Sequence, residues 1–159
     1  DGSVEETLVL DYQNNSPSNI FPAGDYKTYL RVLTASDSKL VSCQIISSLR
    51  DDNCEIKEFE EFNKKIYGIY VVVPVKESRQ VRLLYQQPNE KKFIDGDYSI
   101  LIQKQSGDSD YNYQLSLFYP KLMTVVGSNL PILTGQGKIV YNTLLSEDKA
   151  LTITFTKKQ

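Results

Sequence analysis

Apolar and polar residues alternate with a period of two through most of this 159-residue chain. Such a pattern buries one face only when the backbone is extended, because successive side chains of a strand point to opposite sides. Nine runs carry it: Thr7 to Tyr12, Tyr26 to Leu33, Leu40 to Ser47, Ile66 to Val73, Gln80 to Gln86, Tyr98 to Gln105, Tyr113 to Tyr119, Gly137 to Leu144 and Leu151 to Thr156. In the first, Leu8, Leu10 and Tyr12 share a face; in the second, Tyr26, Thr28, Leu30 and Val32 stand against Lys27, Tyr29 and Arg31. The runs are short, rich in β-branched and aromatic residues, and bounded by Gly, Pro, Asn, Asp or Ser. They predict an all-β fold: a two-sheet antiparallel β-sandwich, immunoglobulin-like in general architecture, with its sheets about 10 Å apart. No repeat, low-complexity tract or long linker divides the chain, so one sandwich domain over residues 1–159 is expected.

Three segments fit the pattern less simply. In Cys54 to Lys65 the residues Ile56, Phe59 and Phe62 fall three apart, which suits one face of a helix as well as a strand followed by a turn; the strand and turn are preferred. Ser106 to Asp110 is a short polar link between two strong strand patterns, so Tyr98 to Tyr119 reads as a hairpin. Met123 to Gln136 is the least regular stretch and reads as an extended crossover carrying Pro131.

The missing residue types restrict the chemistry. With no His anywhere, Ser-His-Asp and Cys-His nucleophiles, His-ligated zinc and proximal-His haem are all excluded. A net charge of −2 lacks the electrostatic footprint of a nucleic-acid binder. Ser36-Asp37-Ser38-Lys39 and Ser146-Glu147-Asp148-Lys149 fit the S-x-x-K pattern, but both lie in polar loops without the companion motifs of that chemistry. Asp108-Ser109-Asp110-Tyr111-Asn112 matches the first half of a calcium loop, yet Tyr113 stands where Gly is required and Tyr119 where Glu is; a polar turn explains it, as it does Asp95-Gly96-Asp97. Gly135-Gln136-Gly137-Lys138 lacks the remaining residues of a phosphate loop. Glu55, Glu58, Glu60 and Glu61 form the densest acidic group and could hold a carboxylate pair for glycoside chemistry; a charged edge strand that blocks aggregation explains them with less. Sugar stacking would normally use Trp, which is absent, although the 11 tyrosines could substitute. No catalytic residue, cofactor or metal site is therefore expected.

Cys43 and Cys54 flank a turn-like run, Leu49 to Asn53, and their spacing suits a disulfide worth roughly 3 kcal/mol in the chain-entropy account. Two unrelated buried thiols are the alternative. A disulfide implies an oxidising, extracytoplasmic setting. The longest apolar run, Ile69 to Val73, is far short of the roughly 20 residues that span a bilayer, so no membrane insertion by this segment is expected. Starting at Asp1 without a leader pattern, the chain reads as a fragment of a longer protein whose anchor lies elsewhere.

Three stretches together resemble the C-terminal region of an uncharacterised family of bacterial membrane-anchored surface proteins, the domain of unknown function 4012 family. They are Tyr26-Lys27-Thr28-Tyr29-Leu30-Arg31-Val32 followed by Ser38-Lys39-Leu40; Glu60 through Pro74, with an acidic turn, a Gly-containing strand and a closing Pro; and Tyr98 through Gly107, similar to the family's Y-x-L-x-x-Q-K-Q-x-G pattern. The chain departs from the pattern at Leu33-Thr34-Ala35, where a Pro-containing turn is expected. The resemblance implies an extracytoplasmic β domain on the cell surface and carries no catalytic residue.

Within the third stretch Gln103 and Gln105 are expected to face solvent or a partner as a secondary interaction surface, with Lys104 snorkelling from the sandwich end and Gly107 supplying a turn conformation. The expected function is a non-catalytic structural or binding module whose partner is a protein or a cell-envelope polysaccharide. The alternative is a carbohydrate-active or cell-envelope enzyme using a carboxylate pair. A flat tyrosine-rich face would favour binding, and a pocket with two facing carboxylates would favour the enzyme.

Overall fold

The computed structural model describes residues 4–87, 96–104, 106–107, 109–135 and 137–158. The fold is all-β, with 13 strands and no helix among the described residues, and every strand pairing is antiparallel. Each of the nine alternating runs contains a strand, which follows from their period, although the run from Tyr98 is extended only to Ile102. The chain forms two compact units, residues 1–91 and 92–159.

The first unit contains β1 (Val4–Gln13), β2 (Tyr26–Ala35), β3 (Lys39–Ile46), β4 (Asp51–Asn53), β5 (Ile56–Glu61), β6 (Lys64–Val73) and β7 (Ser78–Gln87). They build two sheets, ordered β1-β7-β3-β4 and β2-β6-β5. One buried cluster draws on both sheets: Val32, Tyr67, Ile69, Val71 and Val73 from the second, and Cys43, Val81, Leu83 and Tyr85 from the first. Leu8, Leu10 and Tyr12 pack against it from β1, on the shared face that their alternation requires. Asn14 is buried just past β1, where its side-chain amide donates to the carbonyls of Gly24 and Val73 at 2.9 Å each. The amide thus satisfies a carbonyl of the loop between β1 and β2 and one at the end of β6.

The ambiguous segment Cys54 to Lys65 is a strand and a turn. β5 ends at Glu61, Phe62 and Asn63 turn the chain, and Lys64 opens β6 opposite Glu61. Both turn residues have positive φ, 52° and 56°, as the primed turns of two-residue hairpins demand. Asn suits that conformation; Phe does not.

The second unit contains β8 (Gly96–Ile102), β9 (Tyr111–Phe118), β10 (Met123–Ser128), β11 (Leu133–Gly135), β12 (Lys138–Leu145) and β13 (Lys149–Lys157), in sheets ordered β10-β13-β8 and β11-β12-β9. Its buried cluster comprises Ile102, Met123, Ile139, Tyr141, Leu145, Leu151, Ile153 and Phe155, again from both sheets.

Two expectations are corrected here. Tyr98 to Tyr119 is not a hairpin: β8 pairs with β13 and β9 with β12, and the two lie in different sheets. The reason is the connection, which runs from Gln103 to Asp110 because β8 stops at Ile102; that exceeds the two to five residues of a hairpin loop and is long enough to change sheets. Met123 to Gln136 is not a plain crossover, since it supplies β10 and β11. A register shift between Val125 and Gly127 puts a bulge in β10, and one extra residue breaks the period that would have revealed the strand.

Candidate functional site

The outward face of the β2-β6-β5 sheet carries an ordered array of aromatic and charged side chains. Its rows follow from the register: Lys27 beside Val72, Tyr29 beside Tyr70, Arg31 beside Gly68 and Lys57, Leu33 beside Ile66 and Phe59, and Lys64 beside Glu61. The opposite parity of the same strands, Leu30, Val32, Tyr67, Ile69 and Val71, faces the core. Outward direction is therefore forced on the array by the alternation that builds the sheet.

Gly68 makes this face unusual. It lies in the middle of β6, where a side chain would ordinarily aid packing. A Cβ there would come within 2.1 Å of the Tyr29 hydroxyl oxygen and 2.7 Å of its ring carbon Cζ. The phenol ring thus occupies the space that any other residue at 68 would fill, and lies diagonally across the central strand, as aromatic rings do over strand glycines. Gly68 is buried as a result, while Tyr29 remains 46% exposed and Tyr70 56% exposed.

A second bridge crosses the sheet one row further along. An Arg31 guanidinium nitrogen donates to a Glu61 carboxylate oxygen at 2.6 Å, from β2 to β5, with the guanidinium 5.3 Å from the centre of the Phe59 ring. The path between these residues passes over Ile66, which is fully buried although it points outward. Ion pairing and cation–π contact together fix a long side chain that would otherwise be mobile. Beyond this bridge Phe62, 92% exposed and in the left-handed conformation, ends the face at the β5–β6 turn. A bulky residue held in that conformation and left in water is a feature that accompanies functional surfaces.

The predicted disulfide is present: Cys43 on β3 and Cys54, just past β4, are joined with their Cα atoms 5.4 Å apart. The Cys54 amide also donates to the Cys43 carbonyl at 3.1 Å. Gln103 is exposed, but it follows the end of β8, so the alternation argued for it does not apply; Gln105 lies outside the described residues. Lys104 sits with its ammonium 5.3 Å from the centre of the Tyr111 ring, and its backbone N–H donates to Asp148 at 2.7 Å. Gly107 has φ of 82°, the turn conformation expected of it.

The other candidate motifs occupy turns. Neither S-x-x-K segment is helical, so neither brings its Lys over its Ser on a following helical turn; Lys149 instead donates to Glu147 at 2.5 Å. That hydrogen bond, and the ammonium charge behind it, hold Glu147 below the usual glutamate range, while the same hydrogen bond raises Lys149 against a desolvation that would lower it. The acidic group around β5 lies on an edge strand, with Glu61 bonded to Arg31 and Glu58 3.9 Å from Lys65. Asp95 and Asp108 lie outside the described residues; no group of three His, Cys, Asp or Glu is placed to hold a metal among the described ones.

Two clefts among the described residues hold no carboxylate pair. One, of about 440 Å³, lies where β1 ends and β7 begins and includes Asp11, Ser47, Ser78 and Gln80; Asp11 is its sole carboxylate and accepts a hydrogen bond from the Gln80 amide at 2.8 Å. The other, of about 540 Å³, is lined by Asn112, Gln114, Asn142 and Leu144 among others and contains no carboxylate. No described helix is long and apolar enough to cross a membrane.

The array was only half legible from sequence. Parity put Tyr29 and Arg31 on one face, but their meeting with Gly68, Phe59 and Glu61 depends on contacts between residues 28 to 39 apart in sequence. The one local signal was a Gly inside the longest apolar strand, a mark of close approach by another group. No family model matches the chain, and no curated protein matches it in sequence.

Proposed function

We propose that this chain is a non-catalytic binding module whose contact surface is the outward face of the β2-β6-β5 sheet. The observation that carries the reading is the Tyr29 ring laid over Gly68: an aromatic surface fixed before any ligand arrives loses little freedom on binding. Tyr29, Tyr70 and Arg31 on this face are of the residue types that most often supply binding energy. Core clusters drawn from both sheets of each unit support a two-sheet sandwich, immunoglobulin-like in general architecture, as the scaffold. The disulfide is compatible with an extracytoplasmic setting. Attachment to a bacterial cell surface and kinship with the domain of unknown function 4012 family rest on the sequence resemblance alone. The partner is a cell-envelope component, a protein or a polysaccharide.

The test is retention of fluorescently labelled protein on isolated bacterial cell envelopes, with and without prior protease treatment of the envelopes. Wild-type protein should be retained, and a Tyr29→Ala, Tyr70→Ala double variant with an unchanged circular dichroism spectrum should wash off. Equal retention of both proteins would remove the face from consideration.

A further inference from the structure

We infer, on the reading that this face is the contact surface, that its ligand is a linear polysaccharide bearing carboxylates. The first argument is charge. Lys27, Arg31, Lys57 and Lys64 all point outward from this sheet, and Glu61 is the one carboxylate in the same rows. The excess of three positive charges stands on a chain whose net charge is −2, so the face is locally opposite in sign to the molecule that carries it. Concentrated charge of one sign steers ligands of the other.

The second argument is size. Three strands are about 10 Å across between the outer strand axes, and the rows from Lys27 to Lys64 extend about 27 Å along the strands. With side-chain overhang the area is on the order of 400 Å², half of the roughly 800 Å² that each partner of a stable protein complex contributes. The strip is the wrong shape for a folded protein and the right one for a chain lying along the strands.

The third argument is the arrangement of groups. Tyr29 and Tyr70 offer ring surface to the C–H faces of a sugar, and the ring–Gly68 contact sets Tyr29 in place beforehand. The Arg31 guanidinium has five N–H donors and uses one on Glu61 in this geometry, leaving a planar fork for a carboxylate or vicinal hydroxyls one row away. Lys27 and Lys57 flank these groups on the two outer strands, so acidic residues along a polymer can be met on either side. A basic face with aromatic rings also suits single-stranded nucleic acid. The disulfide favours the polysaccharide, because it belongs to compartments where nucleic acid is scarce.

Affinity electrophoresis and isothermal titration calorimetry with alginate, neutral dextran and a 16-residue oligothymidylate decide the matter. Alginate should bind, with an affinity that falls as salt rises; dextran and the oligonucleotide should bind at least about tenfold more weakly. Gly68→Ala keeps every aromatic residue but forces the Tyr29 ring off the sheet, and should weaken alginate binding about tenfold. Lys27→Gln with Lys57→Gln should weaken it and flatten the salt dependence. Arg82→Gln, on the outward face of the other sheet of the same unit, should bind like wild type. Dextran bound as well as alginate, independently of salt but still sensitive to Gly68→Ala, would overturn the acidic ligand and leave the face as the contact surface. Tighter binding of the oligonucleotide would replace the polysaccharide with nucleic acid. Alginate binding insensitive to both Gly68→Ala and Tyr29→Ala would defeat the contact-surface reading itself, and binding of none of the three probes would overturn the polysaccharide inference.

Discussion

Tyr29 and Gly68 illustrate how a single missing Cβ decides where a neighbouring ring can lie. Phe62 poses the opposite case, a large side chain in a backbone conformation that favours Asn or Gly. Its φ of 52° costs about 1 to 2 kcal/mol relative to a right-handed position, and at 92% exposure little burial offsets that. Phe62→Asn should therefore raise stability by about 1 kcal/mol, seen as a higher urea midpoint with unchanged slope. A lower midpoint would mean that the ring makes contacts that the exposure does not suggest. At the surface pair Glu147–Lys149 the signs of the two shifts define a pH window. A lowered Glu pKa gives a contribution present above the ordinary glutamate value and lost as pH falls through the lowered one; a raised Lys pKa gives one present below the ordinary lysine value and lost as pH rises through the raised one. The pair is thus intact across neutral pH. Carboxyl chemical shifts should titrate below the usual glutamate range for Glu147, and Lys149→Met should restore the ordinary midpoint.

Strands β3 and β4 form a hairpin with Ile46 opposite Asp51, and the disulfide closes it again from Cys43 to Cys54. The covalent closure matters because β4 is a three-residue edge strand, fully exposed, that contributes no buried side chain. Cys43→Ser with Cys54→Ser should cost about 3 kcal/mol, mostly by freeing the unfolded chain, with the burial of Cys43 adding to the loss. Denaturant unfolding measures it, and intact mass with and without reduction before alkylation confirms the bond in protein made under oxidising conditions. A loss below about 1 kcal/mol would show that the loop is ordered without the bond. Edge β5 is treated differently, with Glu58 and Glu61 facing Lys65 and Arg31 in ion pairs. Such pairs add little stability at the surface, but charge on an edge discourages pairing with another chain.

Across the whole molecule the strands change sheets repeatedly. β1 to β2 and β2 to β3 cross from one sheet to the other, as do β8 to β9 and β9 to β10. Each unit's buried cluster thereby draws on strands that are distant in sequence. Far-ultraviolet circular dichroism should show a β-dominated spectrum; helix above about a fifth of residues would contradict the fold. Non-local pairing of this kind also predicts slow folding, in the range of milliseconds to seconds.

Alternation alone determined that the chain is all-β, where the nine regular strands lie and, for strands with a polar side such as β1 and β2, which side faces inward, because side-chain direction in a strand is a local property of the backbone. Leu8, Val32, Ile102 and Leu151 could be assigned to the interior on that basis, and Tyr29 and Arg31 to the exterior. Pairing was not legible, since β8 next to β9 in sequence gives no sign that their partners are β13 and β12. The bulge of β10 and the three-residue length of β11 hide both strands from any periodic pattern. The candidate face needed tertiary structure for the same reason: Tyr29 meets Gly68, and Arg31 meets Glu61, only after the register of β2, β6 and β5 is set, and register depends on how the whole core packs rather than on any local run of residues.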